Sequence, residues 1–435
     1  MRSELPKVLH SLAGKPLVAY SIQAAAEATG AKPVLVIGHA AERIQEAVGE
    51  QVLYAIQSPQ LGTGHAVRQA ESILKDKADL VLVTLADMPL LSAHTLKEII
   101  ALQAAHTGPI SMATIRVDDP RGFGRVVRDQ AGNVIAIVEE AQATEDQLTI
   151  RELNASIYCF KADWLWQALN RVPLSPKGEY YLTDVVGLAV SDGMTVQTLQ
   201  LEDGAEAIGI NTRVHLAEAE ALLRQRINQG WMLAGVTFID PATTYIETDV
   251  RIGQDTLIWP NTYLRGNTEI GSGCEIGPNT VIQDTRIGNG CKILASFLDR
   301  AVLEDHVDIG PCAHLRKGAH LASGVHMGNF GEVKNSYLGP GVKMGHFSYI
   351  GDATIQKNVN IGAGTITCNY DGVKKNRTEI DEDAFIGSDT MLVAPLKVGK
   401  GARTGAGAVV TKDIPDFTLA VGVPARQIRK LNQGE

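Results

Sequence analysis

Residues 245–283 read YIETDVRIGQDTLIWPNTYLRGNTEIGSGCEIGPNTVIQ. Ile246, Ile252, Ile258, Leu264, Ile270, Ile276 and Ile282 fall on one strict step of six. The same step recurs at Ile309, Leu315, Leu321, Met327 and Val333. It recurs again at Ile380, Ile386, Leu392, Val398, Thr404 and Val410. A period of six is neither helical nor simple strand alternation. It fits a solenoid with flat faces, in which one aliphatic per face points inward and small residues turn the corners. The competing reading is coincidence in an aliphatic-rich strand region, and it has to hold across three separate runs. The register breaks between Thr367 and Ile380, where CNYDGVKKNRTE (368–379) intervenes. A polar insert in a solenoid leaves one edge as a loop, and such loops tend to carry function.

Upstream the pattern is different. Val34–Gly38 (VLVIG) and Leu80–Leu85 (LVLVTL) read as buried parallel strands. Leu17–Thr29 and Ala40–Val48 read as amphipathic helices between them. Strand alternating with helix predicts an α/β sheet, with ligands at the carboxyl ends of its strands. Residues 212–230, TRVHLAEAEALLRQRINQG, read as a helix, either an arm between domains or a helix docked on the first. The expected organisation is an α/β domain over 1–213, a linker helix over 214–234 and a solenoid over 235–435. A chain of 435 residues is too long for one ordinary core, which agrees.

Composition excludes several classes. A net charge of -9 leaves no basic excess for nucleic acid or an anionic membrane. No run approaches a membrane span, and MRSELPKVLH lacks the apolar core of a signal peptide. Cys159, Cys274, Cys291, Cys312 and Cys368 show no CxxC and no metal spacing, which fits reduced thiols in a cytoplasm.

In the second half, Arg316 and Lys334 sit in HLRKGAH and GEVKNSY, and His346 and Tyr349 in KMGHFSYIGD. Fixed cations suit a phosphorylated substrate. An imidazole suits proton removal from an amine near neutral pH. Taken alone, His346 also reads as a solvated corner residue. Hexad solenoids of this kind resemble the left-handed parallel β-helix acyltransferases, which implies three chains side by side, a homotrimer.

The string GHFSYIGDATIQKNVNIGAGTITCNYDGVKKNRTEI, continued by FIGSDTMLVAPLKVGKGA, closely resembles the acetyltransferase half of the bacterial bifunctional N-acetylglucosamine-1-phosphate uridyltransferase/glucosamine-1-phosphate acetyltransferase family. The resemblance implies that His346 is the general base toward acetyl-CoA. It places the amino sugar phosphate on Arg316, Lys334, Tyr349 and Asn360. It places acetyl-CoA along Ala363, Asn369, Tyr370, Ser388 and Ala406, with Arg426 in the divergent AVGVPARQIRK as a CoA-phosphate contact.

The first half carries LPKVLHSLAGKPL, QSPQLGTGHA and TLADMPLL. Alone, LGTGHA reads as a glycine loop near a nucleotide or a mere turn. Asp87 after a strand reads as a Mg²⁺ ligand or a strand-end cap. These strings, with DDPRGFGRV, IVEEA, LNASIY, GEYYLTD and IGINTRV, occur in the order of the family's uridyltransferase half, a nucleotidyltransferase (Rossmann-like) fold. The resemblance implies Lys7 at the phosphates and Gln57, Gly62 and Thr63 at uracil. It implies Gly124, Glu139 and Asn154 at the sugar, with Asp87 and Asn211 on Mg²⁺. The implied reaction joins N-acetylglucosamine 1-phosphate to UTP, for cell-wall synthesis.

Three departures stand against the family pattern. The family opens with an apolar strand and an L-A-A-G-x-G-T-R-M loop, and Met1 falls at that loop's final methionine. A gap in the parallel sheet and little or no uridyltransferase activity are therefore expected. Either the start was assigned too far downstream or the truncation is real. LADMPL puts Leu85 and Ala86 where the family has Tyr-Gly. Ala141, Gln142 and the NAS at 154–156 also depart. Three rivals remain open: a nucleotidyltransferase for another sugar, a monofunctional acetyltransferase, and a non-catalytic regulatory subunit.

Overall fold

The computed structural model describes residues 1–117, 120 and 122–431. Asp118, Asp119 and Arg121 of the DDPRGFGRV string lie outside the described residues. The described chain divides into two compact units, Met1–Leu223 and Arg224–Glu435. The division falls inside a single helix, Arg213–Leu233. Its first half supplies Leu216, Ala219, Leu222 and Leu223 to an apolar cluster with Leu12, Leu17 and Ile210. In its second half, Ile227 and Trp231 pack against the core of the second unit.

The second unit is a three-faced coil. Every hexad position named above is buried. The first face runs through twelve strands from Thr237–Phe238, the second through ten from Tyr245–Ile246, and the third through nine from Arg251–Ile252. Successive coils stack in parallel, so Ile246 sits beside Leu264 and Leu264 beside Ile282. This is the left-handed parallel β-helix of hexapeptide repeats. Its core is one continuous aliphatic column. The hexad is not uniform. The inward column steps from Ile282 to Ile287 and from Leu298 to Leu303, and later from Val333 to Leu338 and from Ile350 to Ile355. Each of these steps is one residue short at the corner between the second and third faces. Asp284, Arg300, Asn335 and Asp352 take a left-handed backbone there. The polar insert leaves the coil at the same corner, between strands Ile366–Cys368 and Thr378–Ile380.

In the first unit, helices Leu17–Thr29 and Ala41–Val48 form where the apolar spacing puts them. The central strand, Glu152–Lys161, is ten residues long and buried along nearly all of it. It pairs antiparallel with Ile110–Arg116, which is parallel to Val196–Gln200. Arg125–Arg128 and Val134–Val138 form a hairpin at its start. Leu80–Leu85 was expected to be a parallel strand, and Leu80–Val83 forms the strand. It pairs antiparallel instead, Val83 opposite Tyr158, because the long central strand takes its edge. Val34–Ile37 pairs in parallel with Leu53–Ile56 in a sheet of their own. Among the described residues, no hydrogen-bonded strand joins the two sheets.

Candidate functional sites

In the second unit, the fold lines the candidates up along one corner. His346, Ala363, Ser388 and Ala406 each lie two residues past an inward residue of the first face: Met344, Ile361, Ile386 and Thr404. Backbone bonds stack these corners coil on coil. Gly364 N–H donates to Phe347 O at 2.7 Å, Asp389 N–H to Ala363 O at 2.6 Å, and Gly407 N–H to Ser388 O at 2.8 Å. His346 is exposed at one end of this line. Asn360 lies on the adjoining first face, in register with Lys343.

The second face carries the charge. Tyr349 stacks in register on Glu332, which stacks on His314. Glu332 Oε1 accepts from Arg316 Nη1 at 2.8 Å, and this bond raises the Arg316 pKa. Lys334 follows on the same face. The Lys375 ammonium beside it, and behind that Arg316, push the Lys334 ammonium below its usual range. Arg316 and Lys334 on this face, with Lys375 brought beside Lys334, favour an anionic occupant, because each extra positive charge costs less once an anion is bound. Lys375 and Glu332 were not read from the sequence. Lys375 sits in the insert, which pattern reasoning treats only as a loop.

The insert is folded back by its own hydrogen bonds. Asn376 N–H donates to Asn369 O at 2.7 Å, and Tyr370 bridges to Lys375. Asn369 is buried and Tyr370 is exposed. Arg426 stands apart, on the exposed final strand opposite Val421.

In the first unit, Lys7 sits on a single helical turn, Lys7–Leu9. Its ammonium forms an ion pair with Asp87 and a hydrogen bond to Asn211 Oδ1 at 2.9 Å. Ile210 N–H donates to Asp87 O at 3.0 Å, which ties the Asn211 segment to the strand end. Two oxygens thus converge on one cationic position. Oxygen donors from one carboxylate and one amide suit Mg²⁺, which takes few protein ligands and completes its shell with water and phosphate. Among the described residues, no group of three or more His, Cys, Asp or Glu gathers.

Gln57, Gly62 and Thr63 are also brought together. Gln57 Nε2 donates to Gly62 O at 2.9 Å and lies 3.2 Å from His65 Nδ1. Burial, and then Arg68, lower the His65 pKa. Gly62 has φ +93, and a Cβ there would lie 2.7 Å from Tyr180 O, so only glycine fits. Thr63 Oγ1 accepts from Leu182 N–H at 3.0 Å. At the hairpin, Asn154 N–H donates to Gly124 O at 2.8 Å, and Glu139 Oε1 accepts from Thr183 at 3.0 Å. Burial, reinforced by Glu139, raises the Asp184 pKa.

Residues 2–232 match the nucleotidyl transferase family. Residues 249–284 match the bacterial transferase hexapeptide (six repeats) family, and 377–412 the hexapeptide repeat of succinyl-transferase. The bifunctional protein GlmU of Heliobacterium modesticaldum is 47% identical over 97% of this chain and 92% of its own. That of Geotalea uraniireducens is 46% identical over 99% of this chain and 95% of its own. The chain belongs to the bifunctional GlmU family. GlmU proteins are glucosamine-1-phosphate acetyltransferases and N-acetylglucosamine-1-phosphate uridyltransferases, and together the two activities produce UDP-N-acetylglucosamine. Membership assigns both to this chain. Among the described residues, no helix is long and apolar enough to cross a membrane.

Proposed function

We propose that the second unit transfers acetyl from acetyl-CoA to glucosamine 1-phosphate, and that the first joins the product to UTP. The observation that carries the acetyl-transfer reading is the corner line from His346 to Ala406 at the edge of the face that carries Arg316 and Lys334. The sugar phosphate lies on Arg316 and Lys334, with Tyr349 and Asn360 at its hydroxyls. Acetyl-CoA runs along Ala363, Ser388 and Ala406, with Asn369 and Tyr370 closing over it and Arg426 toward its phosphates. The amine nitrogen attacks the thioester carbon, the C–N bond forms and the C–S bond breaks. His346 takes the amine proton, and the CoA thiolate leaves. The exposed outer faces suit packing of three such coils side by side in a cytoplasmic homotrimer.

In the first unit, Gln57, Gly62 and Thr63 read the uracil. Gly124, Glu139 and Asn154 hold the N-acetyl sugar. Lys7 meets the triphosphate, and Asp87 and Asn211 would hold Mg²⁺. When bound, that ion offsets charge on the phosphates. The protein otherwise contributes position, so the sugar phosphate oxygen reaches the α-phosphorus as pyrophosphate departs.

His346→Ala tests the reading. Acetyl transfer falls by about 10²–10⁴-fold, as for a lost general base, while uridylyl transfer is kept. Unchanged acetyl transfer in a folded variant rejects His346 as the base.

A further inference from the structure

Asp352 sits at the corner between the second and third faces, with 11% of its side chain exposed. Lys375 Nζ stands 4.0 Å from it. Two amides fill its oxygens: Asn335 Nδ2 donates to Oδ1 at 2.6 Å, and Asn369 Nδ2 to Oδ2 at 2.5 Å. Its backbone joins the same groups. Asp352 N–H donates to Lys334 O at 3.1 Å, and Thr378 N–H to Asp352 O at 3.3 Å. One residue thus ties the coil that carries Lys334 to both ends of the insert.

The chemistry of a carboxylate makes this contact directional. Ionised, it only accepts, so both amides must turn their NH₂ groups toward it. The Oδ1 of Asn369 is thereby turned away from Asp352 as an acceptor. Asn369 Nδ2 also lies 3.5 Å from the Tyr349 hydroxyl. Gly351 makes room for that approach. A Cβ there would lie 2.4 Å from the Tyr349 oxygen and 2.7 Å from Asn369 Nδ2.

We propose that Asp352 is a positioning residue of the acetyl-transfer site, fixing the Asn369 amide so that its Oδ1 is offered to the amide N–H groups of the pantetheine arm of acetyl-CoA. The proposal rests on the placing of Asn369 at acetyl-CoA above.

Asp352→Asn is close to isosteric, and asparagine tolerates the left-handed φ of +52. It turns one acceptor into a donor, so one facing amide must flip or lose its bond. CoA thiol release is followed against acetyl-CoA concentration in the full chain. KM for acetyl-CoA is expected to rise about tenfold, the scale of one lost charge-assisted hydrogen bond, with kcat changed far less. Asn369→Ala gives the same rise. The double variant is no worse than either single, because both act through one group. An additive double, or an unmoved KM in a folded Asp352→Asn, overturns the proposal. Should Asp352→Asn not fold, Asn369→Asp against Asn369→Ala decides. A like charge facing Asp352 makes the aspartate variant worse, and an equal or milder effect overturns the proposal. His346→Ala in the same assay separates the two ideas. Its unchanged turnover brings down the reading of the site, whereas its loss beside a silent Asp352→Asn brings down only the role of Asp352.

Discussion

Lys7 and Asp87 meet as an ion pair, and Asn211 Oδ1 reaches the same ammonium at 2.9 Å. In this arrangement a lysine holds the cation position that two oxygens define. On the proposed reading a triphosphate offers Lys7 a denser charge than a single carboxylate does, so the substrate would draw the ammonium off Asp87, and Asp87 and Asn211 would hold the metal. Lys7→Ala is therefore expected to lower uridylyl kcat/KM by about 10²–10³-fold, the scale of a lost transition-state charge contact. Pyrophosphate release measures it. Acetyl transfer by the same preparation stays unchanged, and a matching fall there would mean general damage.

Chelation divides the two activities. On the proposed reading, making an amide from a thioester needs a base and orientation, which His346 and its corner line would supply, so EDTA is expected to leave acetyl transfer intact. Uridylyl transfer is lost and returns on adding Mg²⁺. Loss of both activities would show that Asp87 and Asn211 are not the only metal position.

Thr404 is the one polar residue in the inward runs named above, and it is buried. Its Oγ1 accepts from Gly387 N–H at 2.9 Å and lies 2.9 Å from Thr390 Oγ1. Thr390 spends its own proton on Gly387 O at 2.7 Å, so Thr404 donates to Thr390. The hydroxyl thus replaces a ladder carbonyl. Thr404→Val matches the shape but leaves a buried N–H unpaired, at an expected cost of about 1–3 kcal/mol by chemical denaturation. A variant as stable as the parent would mean that the N–H finds another partner.

Thr404 also marks the limit of what the sequence discloses. Its step of six announces an inward position, because the inward residue that closes each short strand recurs once per face. The hydroxyl's partner lies a coil away, and no local pattern reports it. The steps one residue short at Ile287, Leu303, Leu338 and Ile355 are hidden for a related reason. Losing a corner residue shifts the hexad without changing its composition. At the sites, Lys7, Asp87 and His346 stand in distinctive strings. Glu332, Asp352 and Lys375 act only through neighbours that stacking brings to them. Strand direction in the first unit was unreadable from Leu80–Val83, since a short apolar run looks alike whether its partner is parallel or antiparallel.

The tip of the insert is set by a titratable group. Asp371 Oδ1 accepts from Val373 N–H at 2.9 Å and Lys374 N–H at 2.8 Å, and Oδ2 from Asn376 Nδ2 at 2.9 Å. These donors favour the charged form and bring its pKa down to about 2 from an ordinary 3.8. The sign follows from linkage. With the folded value depressed, the support this carboxylate gives the turn is complete above the ordinary value. It fades as pH falls from about 4 toward 2, as the group takes up a proton. Carbon NMR of the carboxyl should show a midpoint near 2. Asp371→Asn removes the titration and loosens Tyr370 next to it, so KM for acetyl-CoA rises at neutral pH while the melting temperature of the coil holds. A midpoint at the ordinary value would mean that the turn does not persist in solution, and the placing of Tyr370 over acetyl-CoA would go with it.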